Sequence, residues 1–138
     1  MESHNPHFII IDDSQLDCFI GEKIIHNTEK FSSIKTYLEA DKAFQDIQNG
    51  QLGDPTIHTI IVLDIQMPVM NGFQFVEAFE KLPLEIRSCF SIFMFSSSIN
   101  ENDKNRLGNY PSIIKFYGKP ISKEIIHQML GEVFHRLS

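Results

Sequence analysis

The chain has 138 residues, a length that fits one domain and leaves little room for a second. Hydrophobic residues make up 42% and charged residues 22%, which predicts a soluble domain whose core is filled largely by its twelve phenylalanines. The formal net charge of −6 disfavours direct binding to a nucleic-acid backbone or an anionic membrane, because both need clustered lysine and arginine.

The first predicted strand is the apolar run Phe8–Ile11, which ends at the acidic pair Asp12-Asp13. Ser14 can act as the N-cap of a following helix, with Asp17 three residues later as its capping-box partner. The apolar stripe of this helix is predicted at Leu16, Ile20 and Ile24. The sequence therefore opens with a strand, an acidic turn and a helix.

Strand-like runs and helical-period segments go on alternating to the end of the chain. The other strands are predicted at Ile34–Leu38, Ile57–Leu63, Phe90–Phe95 and Ile113–Tyr117. The other helices are predicted at about Asp41–Asn49, Gly72–Leu82, Asn100–Leu107 and a last segment with apolar residues Ile121, Ile125, Ile126, Met129, Leu130, Val133, Phe134 and Leu137. Five strand–helix units predict an α/β fold: a flavodoxin-like, doubly wound, five-stranded parallel sheet of order 2-1-3-4-5 with five helices. We expect one domain over residues 1–138, with its core at about 7–137.

The sequence also carries expectations about location. Its apolar runs fall well short of the roughly 20 residues that span a bilayer, and its N-terminal residues have no signal-peptide pattern. Cys18 and Cys89 have no metal-like spacing and are interpreted as reduced thiols. A cytoplasmic protein is expected.

Reactive side chains follow four of the five predicted strands, and parallel strands bring such ends to one edge of the sheet. They are Asp12, Asp13, Asp64, Ser96 and Lys119. Three clustered carboxylates repel one another unless a cation joins them, and oxygen ligands with room for water suit Mg²⁺. Lys119 and Ser96 could then hold phosphoryl oxygens while Asp64 acts as the nucleophile. Each residue alone could be an ordinary cap, turn or loop residue; their joint occurrence favours the site.

These residues resemble the response-regulator receiver family over nearly the whole chain, from about Phe8 to the last helix. The motifs are Asp12-Asp13, Leu63-Asp64-Ile65-Gln66-Met67-Pro68, Gly72, Ser96 and Lys119-Pro120. The resemblance implies that Asp64 is the phosphoacceptor and that Mg²⁺ is held by Asp13, Asp64 and the main-chain carbonyl of Gln66, with Asp12 acting largely through water. Ser96 and Lys119 would hold the phosphoryl group.

The sequence departs from the family pattern at three points. Ser96 replaces the usual threonine, which keeps the hydroxyl and loses a methyl group. The switch aromatic, often tyrosine, falls on Phe116, which has no phenolic hydroxyl. Gln66 and Ser98 occupy positions that tune dephosphorylation in the family.

The resemblance also implies partners. A histidine kinase or a histidine phosphotransfer protein would supply the phosphoryl group, and a protein target would bind the face formed by the fourth helix, fifth strand and fifth helix. We expect no attached output domain, no nucleic acid and no membrane partner. The protein would not be an enzyme in the usual sense, since it would catalyse only its own aspartyl phosphorylation and dephosphorylation.

Three alternatives remain open at this point. A phosphatase of the haloacid dehalogenase type needs a second aspartate two residues after the nucleophile, where this chain has Gln66. An FMN carrier needs hydroxyl and glycine residues after the first strand, where Asp12-Asp13 would repel a phosphate. A binding module with the same fold but no phosphorylation is disfavoured by the complete acidic set.

Overall fold

The computed structural model describes residues 5–98 and 100–137, except for the side chain of Leu137; within them the chain forms a five-stranded parallel sheet. The strands are β1 (His7–Ile11), β2 (Ser33–Tyr37), β3 (Thr59–Asp64), β4 (Phe90–Ser96) and β5 (Ile113–Gly118). The helices are α1 (Gln15–Thr28), α2 (Ala40–Gln48), α3 (Gly72–Phe79), α4 (Leu84–Arg87), α5 (Glu101–Leu107) and α6 (Lys123–Leu137). The strand order is β2-β1-β3-β4-β5, which confirms the predicted topology and fold class.

Two apolar layers enclose the sheet. On one face, α1 and α6 cover β1, β3 and β4 around Phe8, Phe93 and Met129; on the other, α2 and α3 cover the same strands around Ile61 and Phe75. Every residue of β3 and β4 is buried, which is why these two strands are almost continuously apolar. None of the helices in the described part of the chain is long and apolar enough to cross a membrane.

The predicted helix count of five is wrong by one, because α4 is a separate single turn between α3 and β4. The prediction extended the third helix to Leu82, but α3 ends at Phe79 and Pro83 precedes α4. A proline disfavours helical conformation in the residue before it. Four residues are also too few to show a helical period.

The predicted apolar stripe of α1 is wrong at two of its three residues. Leu16 and Ile20 are exposed, whereas Ile24 is partly buried against the core; the buried residues of the helix are Cys18, Gly21, Ile25 and Thr28. A Cβ on Gly21 would lie 3.1 Å from the Ile10 side chain, so this glycine brings α1 close to the sheet. The N-terminal half of the helix therefore packs through small residues, and its C-terminal half packs through Ile24 and Ile25.

The two edge strands, β2 and β5, share a side-chain arrangement. Lys35 of β2 lies over the ring of Tyr37 at 5.3 Å, and Lys115 of β5 lies over the ring of Tyr117 at 5.9 Å. Both lysines are exposed, and each precedes its tyrosine by two residues, so that both side chains share one face of the strand. Each edge of the sheet thus carries an exposed positive charge held against an aromatic ring.

Candidate functional site

The sheet brings the predicted reactive residues together at the carboxyl ends of the strands. Ile11 pairs with Leu63 and Asp64 with Phe95, so Asp12 and Asp64 follow neighbouring strands at the same level. Carboxylate oxygens of Asp12, Asp13 and Asp64 all lie within 4.8 Å of one another. This cluster is an oxygen-only donor set at the edge where α/β sheets bind ligands.

The carboxyl group of Asp64 is buried, and its ionisation is disfavoured. Burial and the negative charge of Asp12 raise the pKa of Asp64 to about 6 from its ordinary value of 3.8, against the opposing effects of Lys119 and the Gln66 main-chain N–H. The group is still mainly ionised at neutral pH. It is an ionised carboxylate in buried surroundings that disfavour its charge.

Asp12 and Asp13 differ in their surroundings although they are adjacent. One oxygen of the buried Asp12, Oδ1, accepts a hydrogen bond from the Ser14 N–H, and Oδ2 accepts one from Lys119 Nζ. Asp13 is exposed, and its carboxylate makes no hydrogen bond to any of residues 5–98 and 100–137. Asp13 is thus free to bind a cation directly, whereas both oxygens of Asp12 are already hydrogen-bonded.

The donor set fits Mg²⁺. Hard oxygen ligands from few side chains, with an open side for water, are what this ion prefers. Burial and the charge of Asp12 both raise the pKa of Asp64, and a dication beside it would offset these effects. A cavity of about 310 Å³ lies between the sheet, α1 and the segment that joins β5 to α6, and its lining includes Asp12, Asp64 and Lys119.

The ammonium group of Lys119 reaches the acidic cluster from the end of β5. Its Nζ lies 2.7 Å from Asp12, 2.8 Å from Asp17 and 3.6 Å from Asp64. Burial opposes its charge, but the hydrogen bonds to Asp12 and Asp17 outweigh that effect and raise the pKa of Lys119 above its ordinary range. Lys119 therefore stays charged beside the buried carboxylates.

Asp17 belongs to this site, although the sequence predicted a different role for it. Ser14 does cap α1 by accepting the Asp17 N–H at 3.1 Å, as predicted. The reciprocal half of the capping box is wrong, because the Asp17 side chain accepts from Lys119 and the Ser14 N–H donates to Asp12. A carboxylate one helical turn after an acidic pair was the only signal that could have indicated this.

The hydroxyl of Ser96 is turned toward the loop that follows β4. It donates to the Ser98 carbonyl at 2.8 Å and accepts from the Ser98 N–H at 3.2 Å. The Gln66 side chain donates to the Ser98 hydroxyl at 3.4 Å, which joins the loops after β3 and β4 across the site. The two positions predicted to tune dephosphorylation are therefore in contact with each other.

The loop after β3 is held tightly beside Asp64. A Cβ on Gly72 would lie 2.8 Å from the main-chain oxygen of Asp64 and 2.9 Å from the Cα of Ile65. Val69 has a φ of 69° and is 89% exposed. This left-handed conformation is unfavourable for a β-branched residue. Strain of this kind often occurs in functional loops.

Phe116 lies on β5, paired with Met94, and is half-buried at the margin of the core. Next to it in the fold, every residue of α5 is at least partly exposed, so this helix buries little apolar surface. Arg106 of α5 and Tyr110, which follows it, lie against the ring of the buried Phe73 of α3, and the Tyr110 hydroxyl donates to Glu77.

The chain is similar to known proteins in both sequence family and fold. Residues 8–131 match the family model described as the response regulator receiver domain. A response regulator receiver protein from Dyadobacter fermentans is 32% identical with a TM-score of 0.81, and the match covers 93% of this chain and 97% of that one. No protein with a curated description matches the sequence.

Two more distant structures share the fold. A two-component response regulator from Cytophaga hutchinsonii has a TM-score of 0.82 at 18% identity, over 96% of this chain and 99% of that one. The chemotaxis protein CheY4 of Vibrio cholerae has a TM-score of 0.72 at 20% identity, over 93% and 98% of the two chains.

Proposed function

The chain belongs to the response regulator receiver domain family, and we propose that it accepts a phosphoryl group on Asp64 with the help of Mg²⁺. The observation that carries this proposal is the set of surroundings of Asp64. A buried, ionised carboxylate lies 3.6 Å from the Lys119 ammonium and within a cluster of three carboxylates. These are a nucleophile, a fixed positive charge and a place for a dication.

The transfer is a displacement at phosphorus. A carboxylate oxygen of Asp64 forms the new O–P bond while the P–N bond of a phosphohistidine breaks, and the electron pair leaves with the imidazole nitrogen. Hydrolysis reverses the state: a water oxygen forms a new O–P bond, the O–P bond to Asp64 breaks, and its electron pair leaves with the carboxylate while inorganic phosphate keeps or releases the water protons. Most of the catalysis in such transfers comes from positioning and charge neutralisation.

Each residue of the site has a role in this proposal. Mg²⁺, when bound, neutralises charge on the phosphoryl oxygens, and Asp13, Asp64 and the main-chain carbonyl of Gln66 would hold it. Asp12 would act through water, since Ser14 and Lys119 already occupy both of its oxygens. Ser96 and Lys119 would bind phosphoryl oxygens.

Signalling would follow from rearrangement of the face formed by α5, β5 and α6. For Ser96 to reach a phosphoryl group, its hydroxyl must leave the two hydrogen bonds to Ser98. The vacated space can admit the ring of Phe116, and α5, which has no buried residue, has little packing to resist the change. A target protein would bind this face, and a cytoplasmic histidine kinase or phosphotransfer protein would supply the phosphoryl group.

The direct test is incubation with acetyl phosphate and Mg²⁺, read by intact mass. We expect one added phosphoryl group that is stable to acid and labile to base, as acyl phosphates are, and no labelling of the Asp64→Asn variant. Equal labelling of that variant would place the phosphoryl group elsewhere. Turnover of an external phosphate ester by the wild type would instead favour the phosphatase alternative.

Thermal melts test the cation site separately. Mg²⁺ binds only the folded carboxylate cluster, so it should raise the midpoint by mass action. Asp13→Ala removes the carboxylate that is free to bind the ion and should reduce this gain. An equal gain in both proteins would argue against the proposed ligand set.

A further inference from the structure

Lys119 has two close carboxylate partners, and only one of them belongs to the predicted cation site. Asp12 is part of the three-carboxylate cluster, whereas Asp17 stands outside it on the first turn of α1. The two distances to Nζ are nearly equal, at 2.7 and 2.8 Å. The ammonium group therefore lies between the cation site and a separate acidic group on a helix.

The position of Asp17 is fixed by the helix that carries it. The Ser14 hydroxyl accepts the Asp17 main-chain N–H, so the residue is anchored by the N-cap of α1. A negative charge is favourable in the first turn of a helix. Asp17 is thus a stable partner for Lys119 that needs no contribution from the metal cluster.

A hydrated dication at the cluster would compete with Lys119 for Asp12, because the water through which Asp12 would hold the ion also needs a carboxylate oxygen as its acceptor. The Oδ2 atom of Asp12 accepts from Lys119 and Oδ1 from Ser14, so the carboxylate has little capacity left. A bound dication would also repel the ammonium group beside it. If Lys119 gives up Asp12, its remaining carboxylate partners are Asp64 at 3.6 Å, which belongs to the cation site, and Asp17 at 2.8 Å, which does not.

We propose that Asp17 is a positioning residue that holds Lys119 while water on a bound divalent cation replaces the ammonium group at Asp12. The inference rests on the proposed function. Without Asp17, the ammonium group would pair only with Asp12 and Asp64 and would weaken the binding of the cation. Asp17 would thereby allow the Lys119 ammonium and the divalent cation to occupy one acidic site together. Asp17 itself would contact neither the metal nor the phosphoryl group.

The test is a double-mutant cycle on Mg²⁺ affinity, measured without a phosphodonor. Mg²⁺ is titrated into the full chain, and the main-chain amide shifts of Ile65 and Gln66 are followed by NMR. Asp17→Asn should raise the Mg²⁺ dissociation constant about threefold or more, a change of the size expected for groups in direct contact. In the Lys119→Met background the same substitution should change it by less than about twofold, because the ammonium is gone.

Two further variants separate position from charge. Asp17→Glu keeps a carboxylate in reach of Lys119 and should restore most of the affinity. Glu22→Gln removes an exposed charge from the same helix and should leave the affinity unchanged.

Each outcome decides something. If the wild type binds Mg²⁺ but Asp17→Asn binds it equally well, or weakens it by the same factor in both backgrounds, Asp17 does not act through Lys119 and this inference fails alone. If the wild type shows no Mg²⁺-dependent shift near Asp64, the proposed cation-dependent function fails and the inference falls with it.

Discussion

Asp64→Asn should stabilise the metal-free protein at neutral pH, although it removes the central residue of the site. Burial and the charge of Asp12 raise the pKa of Asp64 from 3.8 to about 6. A difference of about 2 pK units, at about 1.4 kcal/mol each, means that ionised Asp64 costs the fold about 3 kcal/mol at pH 7. Asparagine has the same shape without the charge, so we expect it to recover about half of that cost.

The sign of the effect follows from proton binding. Between pH 3.8 and about 6 the folded protein holds a proton on Asp64 that the unfolded chain has released. The contribution of this group to stability is therefore complete below pH 3.8 and is lost as the pH rises through 6. The advantage of Asp64→Asn should shrink to less than about 1 kcal/mol at pH 4, where wild-type Asp64 is protonated in the fold.

Urea unfolding in EDTA, followed by far-ultraviolet circular dichroism at pH 7 and pH 4, measures both quantities. Glu22→Gln neutralises an exposed carboxylate on α1 and should change the free energy of unfolding by less than about 0.5 kcal/mol. With Mg²⁺ added at pH 7, the free energy of unfolding of the wild type should rise to that of the Asp64→Asn variant. A variant no more stable than wild type at pH 7, or equally favoured at both pH values, would refute the reasoning.

Three further predictions concern the loops and the switch. Val69→Gly should relieve the left-handed strain and raise the free energy of unfolding by about 0.5–1 kcal/mol in urea. Gly72→Ala should lower it by about 2 kcal/mol or more, because the added Cβ meets main-chain atoms, whereas the control Gly131→Ala on α6 has open space and should be neutral or stabilising. In amide spectra, beryllofluoride bound at Asp64 should shift residues 100–117, and an unperturbed segment would exclude the proposed switch.

The fold was largely predictable because its signals are redundant. β3 and β4 are buried throughout, so their apolar runs are long and clear, and the alternation of strands with helices leaves few topologies. The orientation of α1 was not predictable. Its apolar side chains indicated one face, but the face against the sheet is rotated toward Cys18, Gly21 and Ile25, where the glycine allows close approach.

The site was predictable where its residues follow strands. Strand ends are fixed by the topology, so Asp12, Asp64 and Lys119 could be placed together from the sequence. Asp17 could not, because its contact with Lys119 depends on the rotation of α1 about its axis, which the topology does not fix. The local spacing indicated that the Asp17 side chain caps the helix, but in the folded protein this carboxylate pairs with Lys119.

The lysine–tyrosine pairs on β2 and β5 bear on how copies of this small domain behave when crowded together. A sheet edge offers unpaired N–H and C=O groups to any other strand, and two such edges per molecule could propagate a fibre. An exposed ammonium held over a ring at each edge would force like charges together when two copies pair edge to edge. Lys35 and Lys115 thus disfavour edge-to-edge self-assembly. Replacing both with valine should cause aggregation while the monomer keeps its stability.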